Sequence, residues 1–270
     1  MRQVLVVVGT PRSGNTATRT VLAHAYGLAE AASHDPLVLQ APLSRDAIVQ
    51  VHAPYSCAAE SSLRDRGFSI VTPVRHPLDV LVSMLHFAQF EPQVNEWLGG
   101  RCFTELVGAT PADSAFSAFA FSECASRLLS ISVDWARVAD VTFRYRDIYP
   151  DMTRIADLPG LPRRRADRTS GADDNVTARL AALRSRPNMH AWIGTPDYWM
   201  RFIPIGLAEE LRQAHPQAFA VGRYTIDGAQ HLTSAQIERA WANAFHGDAR
   251  SVRTPAAAVP TTGRAALPPC

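Results

Sequence analysis

The feature that most constrains the fold is the stretch VLVVVGTPRSGNTATRTVL, residues 4–22. It opens with Val4–Val8, a run of apolar and mostly β-branched residues that is typical of a strand buried on both faces of a parallel sheet. A turn bracketed by Gly9 and Gly14 follows, and from Thr16 the apolar residues recur with helical spacing. The stretch therefore predicts a strand, a tight turn and a helix, which is the repeating unit of α/β proteins.

The turn has nearly the pattern of a phosphate-binding loop. In the ATP/GTP pattern a lysine follows the second glycine and Ser or Thr comes next, whereas here Asn15 takes the lysine's place and Thr16 follows. Main-chain N–H groups at a helix N-terminus attract anions, and Arg12 adds a permanent cation with a forked donor face. The pattern predicts a phosphate-like ligand. The alternative is an ordinary strand-to-helix turn with Arg12 on the surface.

Strands and helices alternate along the rest of the chain, which favours a single parallel sheet. We expect further strands at 48–52, 68–74 and 140–145, and further helices at 77–90, 115–129 and 233–245. The 270 residues are 47% hydrophobic, enough for one large domain with a sizeable core. The predicted fold is α/β, a P-loop-like three-layer αβα domain with a central parallel β-sheet. It occupies residues 1–246, and an Ala/Pro-rich tail over 247–270 is expected to be disordered.

Charge and cysteine content narrow the functional class. The formal net charge is only +2, which predicts neither nucleic acid nor a membrane surface as partner, and no apolar run is long enough to cross a bilayer. All 27 basic residues are arginine. The cysteines show no metal-ligand spacing, and a strand beginning at Val4 leaves no room for a secretory signal. We therefore expect a cytoplasmic protein without a metal, whose thiols are reduced: Cys57, Cys102, Cys124 and Cys270.

Polar residues stand at the ends of two further predicted strands. His52 closes QVHAP, and Arg75 begins RHPLDVLVSMLHF, in which Ser83 lies on the following helix. Because strand ends in a parallel sheet face the ligand crevice, Arg75 can clamp a second phosphate there. Each segment alone also fits a structural role: a strand histidine, an arginine at the sheet edge and a serine inside a helix.

Together these segments resemble the cytosolic-type PAPS-dependent sulfotransferases, in matching order along the chain. GTPRSGNTA resembles that family's YPKSGTTW loop, QVHAP resembles KTHxP, and RHPLDVLVSMLHF resembles RNPKDVxVSxxHF, which is the most specific match. YRDI, residues 145–148, resembles YEDL, and WIGTPDYWMRFI is only weakly similar to RKGxxGDWKNxF. The resemblance extends over roughly residues 4–203.

The resemblance implies an enzyme that moves the sulfuryl group of 3′-phosphoadenylyl sulfate (PAPS) to a hydroxyl of a small-molecule or sugar acceptor and releases PAP. It implies His52 as general base, Arg12 as the group that stabilises charge on the bridging oxygen, and no metal. The residues it implies for cofactor binding are Arg12, Ser13, Gly14, Asn15, Thr16, Arg75, Ser83, Tyr145 and Gly194. Neither the resemblance nor the composition predicts an oligomeric state.

Several positions depart from the family pattern. Arg12 replaces the loop lysine, Ala17 replaces the tryptophan that stacks on adenine, and Gln50 replaces a lysine near the transferred group. Trp192 and Ile193 stand where Arg-Lys is expected before Gly194, so the C-terminal clamp is thinner.

Alternatives to the proposed base and to the activity stay open at this point. In carbohydrate-type relatives an acidic residue after the first helix is the base, and here that region holds Glu30, His34 and Asp35. A divergent P-loop small-molecule kinase is a second reading of the loop, and a catalytically weak nucleotide-binding relative is a third.

Overall fold

A computed structural model of the chain describes residues 3–33, 46–90, 104–163, 178, 180 and 194–249. The strands are β1 (Val4–Val8), β2 (Ala29–Ser33), β3 (Ala47–Val51), β4 (Ser69–Val74) and β5 (Val141–Arg144). The α-helices are α1 (Asn15–Tyr26), α2 (Cys57–Asp65), α3 (Pro77–Phe90), α4 (Ser114–Ala120), α5 (Glu123–Trp135), α6 (Tyr145–Ile148), α7 (Ile205–Ala214), α8 (Pro216–Val221) and α9 (Ser234–Ala249). Short 3₁₀ turns lie at Thr104–Leu106, Met152–Asp157 and Tyr198–Arg201.

The strands form one five-stranded sheet in the order β2-β3-β1-β4-β5, and every pairing is parallel. Val8 of β1 and Ser33 of β2 both pair with Val51 of β3, while Val74 of β4 pairs with Arg144 of β5. All the carboxyl ends therefore lie at one edge of the sheet. The predicted α/β architecture with a central parallel sheet is confirmed.

Alternate residues of β1 face two different hydrophobic layers, as the two-residue period of a strand requires. Leu5 and Val7 pack with the apolar side of α1. Val4, Val6 and Val8 pack in the opposite layer, which also contains Leu63 of α2 and Ile131 and Trp135 of α5. The sheet is thus covered on both faces, which gives the three layers that the sequence predicted.

The structure differs from the sequence expectation just after α1. The helix was expected to reach about Ala29 but ends at Tyr26, and a strand that was not predicted, β2, begins at Ala29. The helix stops at Gly27, whose φ of 61° lets its N–H turn back to helix carbonyls. The strand AEAAS has neither β-branched residues nor an apolar alternation that would have identified it.

The single helix expected at 115–129 is two helices, α4 and α5. Ser122 separates them because its hydroxyl accepts a hydrogen bond from the N–H of Ala125, which caps the second helix. Four helices, α2, α6, α7 and α8, had not been predicted. The last helix reaches Ala249, beyond its expected end at Phe245, and residues 250–270 lie outside the described residues.

The cysteine expectation was wrong in part. Cys57 is a free, exposed thiol, but Cys124 is disulfide-bonded. Pairing depends on distance in the fold rather than on sequence spacing, so the absence of a CxxC motif did not exclude it. No helix in the described parts of the chain is both long and apolar enough to cross a membrane.

Candidate functional site

The carboxyl edge of the sheet brings the predicted site residues into one neighbourhood. The loop 9–14 leaves β1, His52 follows β3, Arg75 follows β4 and Tyr145 follows β5. Since these strands are adjacent in the order β3-β1-β4-β5, the loop lies between the histidine and the arginine. This is the edge where open α/β sheets bind ligands.

A buried hydrogen-bond network, which the sequence did not reveal, holds the loop in place. The hydroxyl of Ser132 on α5 accepts the N–H of Thr10 at 2.8 Å and donates to the carbonyl of Pro73 at 3.1 Å. The Thr10 hydroxyl in turn donates to the carbonyl of Leu128 at 3.0 Å. One serine thus fixes the loop against both α5 and β4.

The loop backbone has the shape of an anion cradle. Arg12 has φ 70° and Gly14 has φ 95°, so two residues of a short turn are left-handed. Alternation of this kind aims successive N–H groups into one concavity, and the first N–H groups of α1 have no partner within the helix. The hydroxyl of Ser13 is buried and has no hydrogen-bond partner among the described residues. The loop therefore offers donors to a ligand.

Asn15 and Thr16 contribute to this loop in different ways. The side-chain amide of Asn15 donates to the carbonyl of Thr10 at 2.8 Å, so it stiffens the loop from within. Thr16 is half-buried in the first turn of α1. The main-chain N–H groups of both residues belong to the helix N-terminus.

The side chain of Arg12 lies across the loop toward α3. Its Nε donates to the Ser83 hydroxyl at 2.9 Å, and its guanidinium lies 5.3 Å from the centre of the Phe87 ring. The pKa of Arg12 is lowered to about 10, mainly by burial; Tyr198 acts to raise it and the charge of Arg75 acts to lower it. The electrostatic cost of this cation is one that a bound anion would relieve.

Arg75 occupies the centre of the site. One terminal nitrogen donates to the carbonyl of Arg12 at 3.0 Å, and its Nε lies 3.8 Å from a carboxylate oxygen of Asp79. The guanidinium also lies 4.8 Å from the ring centre of Tyr145 and 5.4 Å from that of Tyr198. Burial lowers the pKa of Arg75, but Asp79 and the surrounding tyrosines outweigh it, so the pKa stands above its ordinary value.

Asp79, in the first turn of α3, connects this arginine to the C-terminal part of the site. Its two oxygens accept the main-chain N–H groups of Asp197 at 2.9 Å and Trp199 at 3.0 Å, and its own carbonyl accepts the Tyr198 hydroxyl. Burial raises the pKa of Asp79 to about 6 even though Arg75 acts to lower it. This one carboxylate offsets only one of the two cations.

Tyr145 packs directly on the loop. A side chain at Gly14 would come within 2.8 Å of the Tyr145 ring, so only glycine allows this contact. The hydroxyl of Tyr145 lies close to Gly194, and a Cβ at that position would be 3.4 Å from it. Gly194, Gly14 and Arg75 therefore all lie beside Tyr145.

His52 lies on the opposite side of the loop. Its Nδ1 is 3.0 Å from the carbonyl oxygen of Gly9, and its Nε2 is 2.8 Å from the amide nitrogen of Gln50. Arg12 contacts both Ser83 and Arg75, whereas His52 is joined to this group through the loop backbone.

The alternative base region is placed differently. Glu30 lies near the start of β2, three register positions or about 10 Å before the carboxyl edge, and it forms an ion pair with Arg19 at 3.0 Å. His34 and Asp35 lie outside the described residues.

Sequence reasoning had not assigned roles to Thr10, Ser132, Asp79 or Tyr198. Asp79 carried a signal, since it is the acidic residue in the first turn of the helix that follows Arg75. Among the described residues no group of three or more His, Cys, Asp or Glu side chains is placed to bind a metal ion.

The fold defines a P-loop-like three-layer α/β class of protein. No protein-family model matches the sequence, and a search of curated proteins finds no match either. Solved structures that share the fold include mouse sulfotransferase SULT7A1 complexed with PAP, with a TM-score of 0.53 and 13% identity over 83% of this chain and 89% of that one. Another is retinol dehydratase in complex with androsterone and inactive cofactor PAP, with a TM-score of 0.51 and 14% identity over 83% of each chain. At these identities the likeness establishes the fold alone.

Proposed function

We propose that this protein is a sulfotransferase that moves the sulfuryl group of PAPS to a hydroxyl of a small-molecule or sugar acceptor. Its single catalytic domain would occupy residues 1–246. The two fold neighbours hold PAP, the product that such a transfer leaves behind. One of them also holds androsterone, a small molecule.

The observation on which this proposal rests is the pair of arginines at this edge, one on the loop and one at the end of β4. Arg12 and Arg75 are joined through the Arg12 carbonyl, and one buried carboxylate, that of Asp79, lies 3.8 Å from Arg75. A site with this excess of positive charge suits a ligand with two anionic groups. PAPS has a phosphosulfate at its 5′ end and a phosphate at its 3′ position.

The residues divide between the two anionic groups. The main-chain N–H groups of Arg12 and of residues 14–16 would hold the phosphosulfate, together with the Ser13 hydroxyl, which is buried and has no hydrogen-bond partner among the described residues. The Ser13 N–H already donates to the Thr10 carbonyl at 3.2 Å. Arg75 and Ser83 would hold the 3′-phosphate, and Ser83 would also orient Arg12 toward the other end of the cofactor. Tyr145 and Gly194 would line the nucleoside side.

His52 would accept the acceptor's proton. A carbonyl can only accept, so the contact with Gly9 requires the hydrogen of a neutral imidazole on Nδ1, which leaves the lone pair on Nε2. PAPS supplies a sulfuryl group whose S–O bond to the 5′-phosphate breaks as the acceptor's O–S bond forms. Arg12 would stabilise the charge on the departing oxygen, and positioning would supply much of the rate.

A second candidate is a protein that binds PAP without transferring sulfate. The observation that favours it is the Gln50 amide, which occupies the lone pair that a general base needs. Asn15 argues against the kinase alternative, because its side chain is engaged within the loop and supplies no cation at the lysine position.

The deciding experiment incubates the purified protein with PAPS and a library of hydroxylated compounds, and detects added sulfonate by mass spectrometry. We expect transfer without added divalent metal, and its loss in His52→Ala while calorimetry shows unchanged PAP affinity. PAP binding without any transfer would favour the second candidate. Transfer of phosphate from ATP with magnesium would overturn both, and normal turnover by His52→Ala would move the base to the Glu30 region.

A further inference from the structure

Gln50 and His52 are placed to interact because they are two positions apart at the end of β3, where alternate residues share a face of the sheet. The Gln50 side chain is buried, at 8% exposure, and its amide nitrogen lies 2.8 Å from Nε2 of His52. The imidazole is therefore held at both nitrogens, by the Gly9 carbonyl on one side and by Gln50 on the other.

The hydrogen-bond directions follow from the carbonyl. Gly9 can only accept, so Nδ1 donates, and the neutral ring must accept at Nε2. The Gln50 amide therefore presents its N–H to the ring. Its carbonyl oxygen, Oε1, is buried and has no hydrogen-bond partner among the described residues, so no contact with that oxygen fixes the amide orientation.

This arrangement has a consequence when the ring gains a proton. An imidazolium donates from both nitrogens, and its Nε2–H would then face the amide N–H. A half-turn of the Gln50 amide exchanges nitrogen and oxygen without changing the shape of the group. The buried oxygen then accepts from the imidazolium, in a charge-assisted hydrogen bond that is stronger than the neutral one.

We propose that Gln50 is a positioning residue for His52, whose amide donates to the neutral imidazole and turns to accept from the protonated one. As a role in catalysis this rests on the proposed function. An acceptor hydroxyl would reach Nε2 by displacing the amide, and the amide would bind the ring again once the proton has moved. This chain thus uses a neutral amide partner at a position where sulfotransferases have a lysine.

Other charged groups belong to elements next to His52. The loop carries Arg12, whose side chain is directed away from His52, toward Ser83 and Phe87 on α3. Tyr55 precedes α2, which carries Cys57 and Glu60, and the Tyr55 hydroxyl donates to Glu60 at 2.8 Å. None of these groups changes in the variants below, so their effects are common to all the titrations.

The test is an NMR titration of the His52 ring nitrogens in the ligand-free protein. In the wild type at high pH, the nitrogen shifts should show hydrogen on Nδ1 and a lone pair on Nε2. Gln50→Glu, nearly identical in shape, should raise the His52 titration midpoint by about one pH unit or more, because a carboxylate favours the charged ring. Gln50→Met should lower the midpoint by roughly half to one pH unit, because the imidazolium loses the stronger bond.

Gln236→Glu adds the same charge at an exposed position of α9 and should leave the midpoint unchanged. The opposite tautomer in the wild type, or midpoints that coincide in the Gln50 variants, would overturn the proposal. Because the wild-type tautomer needs no substitution, a Gln50→Met protein that fails to fold leaves the test intact.

The same variants separate this proposal from the proposed function. If PAPS turnover is found, the acidic limb of its pH–rate profile should move with the titration midpoints. If the His52 titration midpoint is raised in Gln50→Glu and lowered in Gln50→Met but the protein shows no turnover, the sulfotransferase proposal is rejected and the coupling between Gln50 and His52 is retained. If the protein shows turnover but the His52 midpoints of wild type and variants are identical, the sulfotransferase proposal is retained and the coupling between Gln50 and His52 is rejected.

Discussion

Arg75 and His52 both follow directly on the end of a strand, yet the molecule holds them in opposite ways. The Arg75 side chain is 8% exposed and contacts the loop, α3 and two tyrosine rings. His52 is half-buried, and its ring bonds the Gly9 carbonyl and an amide that can turn.

The difference matches what each residue is proposed to do. A group that binds a fixed anion gains from being held rigidly with its charge in place, because no reorganisation is then needed when the ligand arrives. A group that gains and loses a proton needs a partner for each protonation state. We therefore expect substitutions on the Arg75 side to affect stability and cofactor affinity together, and substitutions on the His52 side to affect mainly the pH response.

The largest effect is expected from Arg75→Met. The Asp79 carboxylate would remain buried without its cation, which should lower the free energy of unfolding by roughly 3–5 kcal/mol. PAP affinity should fall at least about 100-fold, or about 3 kcal/mol. Urea unfolding and calorimetry measure the two effects.

The loss of stability should be smaller at pH 5 than at pH 8, because the pKa of Asp79 is already raised to about 6 and rises further without Arg75. A protonated Asp79 no longer leaves a buried charge. Arg127→Met, which removes an exposed partner of Glu123, is the matched control and should change neither quantity appreciably. An Arg75→Met protein as stable as the control at pH 8 would contradict the claim that Arg75 is held rigidly by its contacts.

The next effect concerns His76, which packs among Trp199, Phe219 and Tyr224 beside Arg75. Burial lowers its pKa to about 4, so the unfolded chain binds a proton that the folded one does not between pH 6.5 and 4. The stability that comes from the neutral ring is present above pH 6.5 and is lost as the pH falls, by roughly 3 kcal/mol in total.

The measurement is urea unfolding at pH 7.5 and 4.5 in wild type and in His76→Phe. The variant should be less stable at pH 7.5, because it loses the hydrogen bonds to Thr225 and Leu78, yet it should lose less on acidification. Asp79, whose raised pKa acts in the opposite sense, is present in both proteins. If wild type and His76→Phe lose the same free energy of unfolding on acidification, His76 is not the cause of the acid sensitivity.

Gly9→Ala tests the backbone that the two sides share. A Cβ there would lie 2.9 Å from the side-chain amide oxygen of Asn15, 3.1 Å from the Ser132 hydroxyl and 3.2 Å from the main-chain carbonyl of Pro73. We expect a loss of about 1–3 kcal/mol in stability, because the surroundings are backbone and buried side chains that cannot yield freely. PAP affinity and the His52 titration should both change.

Gly206→Ala is the matched control for that substitution, since no atom lies within 4 Å of its added Cβ within the described structure. In helix α7 it should leave stability unchanged or raise it by up to about 1 kcal/mol. If Gly9→Ala changed only the PAP affinity or only the His52 titration, the loop backbone would not connect the Arg75 side with the His52 side.

The smallest effect is expected from Ser83→Ala. Arg12 would lose the hydroxyl that accepts its Nε at 2.9 Å, which should weaken PAP binding by about 5-fold, or about 1 kcal/mol. Calorimetry measures this, with Ser130→Ala on α5 as the control. The His52 titration should not move; if it does, the two sides are coupled through Arg12 as well as through Gly9.

The sequence predicted the parts of the molecule that depend on local pattern. The bounds of β1 and α3 are as predicted, because a run of β-branched residues and a helix that begins at a proline are strong local signals. The positions of His52, Arg75 and Tyr145 at one edge also followed, since parallel strands share their carboxyl ends.

What the sequence could not supply were the contacts between distant segments. Ser132 braces the loop at Thr10 although the two residues are 122 positions apart, and nothing in SISVD distinguishes that serine. The orientation of Arg12 toward Ser83 likewise depends on the packing of α3 against the loop. Such contacts are set by tertiary structure, to which neither propensity nor periodicity refers.

The bonds from Asp79 to Asp197 and Trp199 reach main-chain N–H groups, which every amino acid except proline possesses. Docking through the backbone leaves the side chains of a segment free to diverge while its position is kept. The sequence of the C-terminal motif can thus change while the segment still packs against Asp79 in the same way. A weak match to that motif is therefore a poor guide to whether this side of the binding site is present.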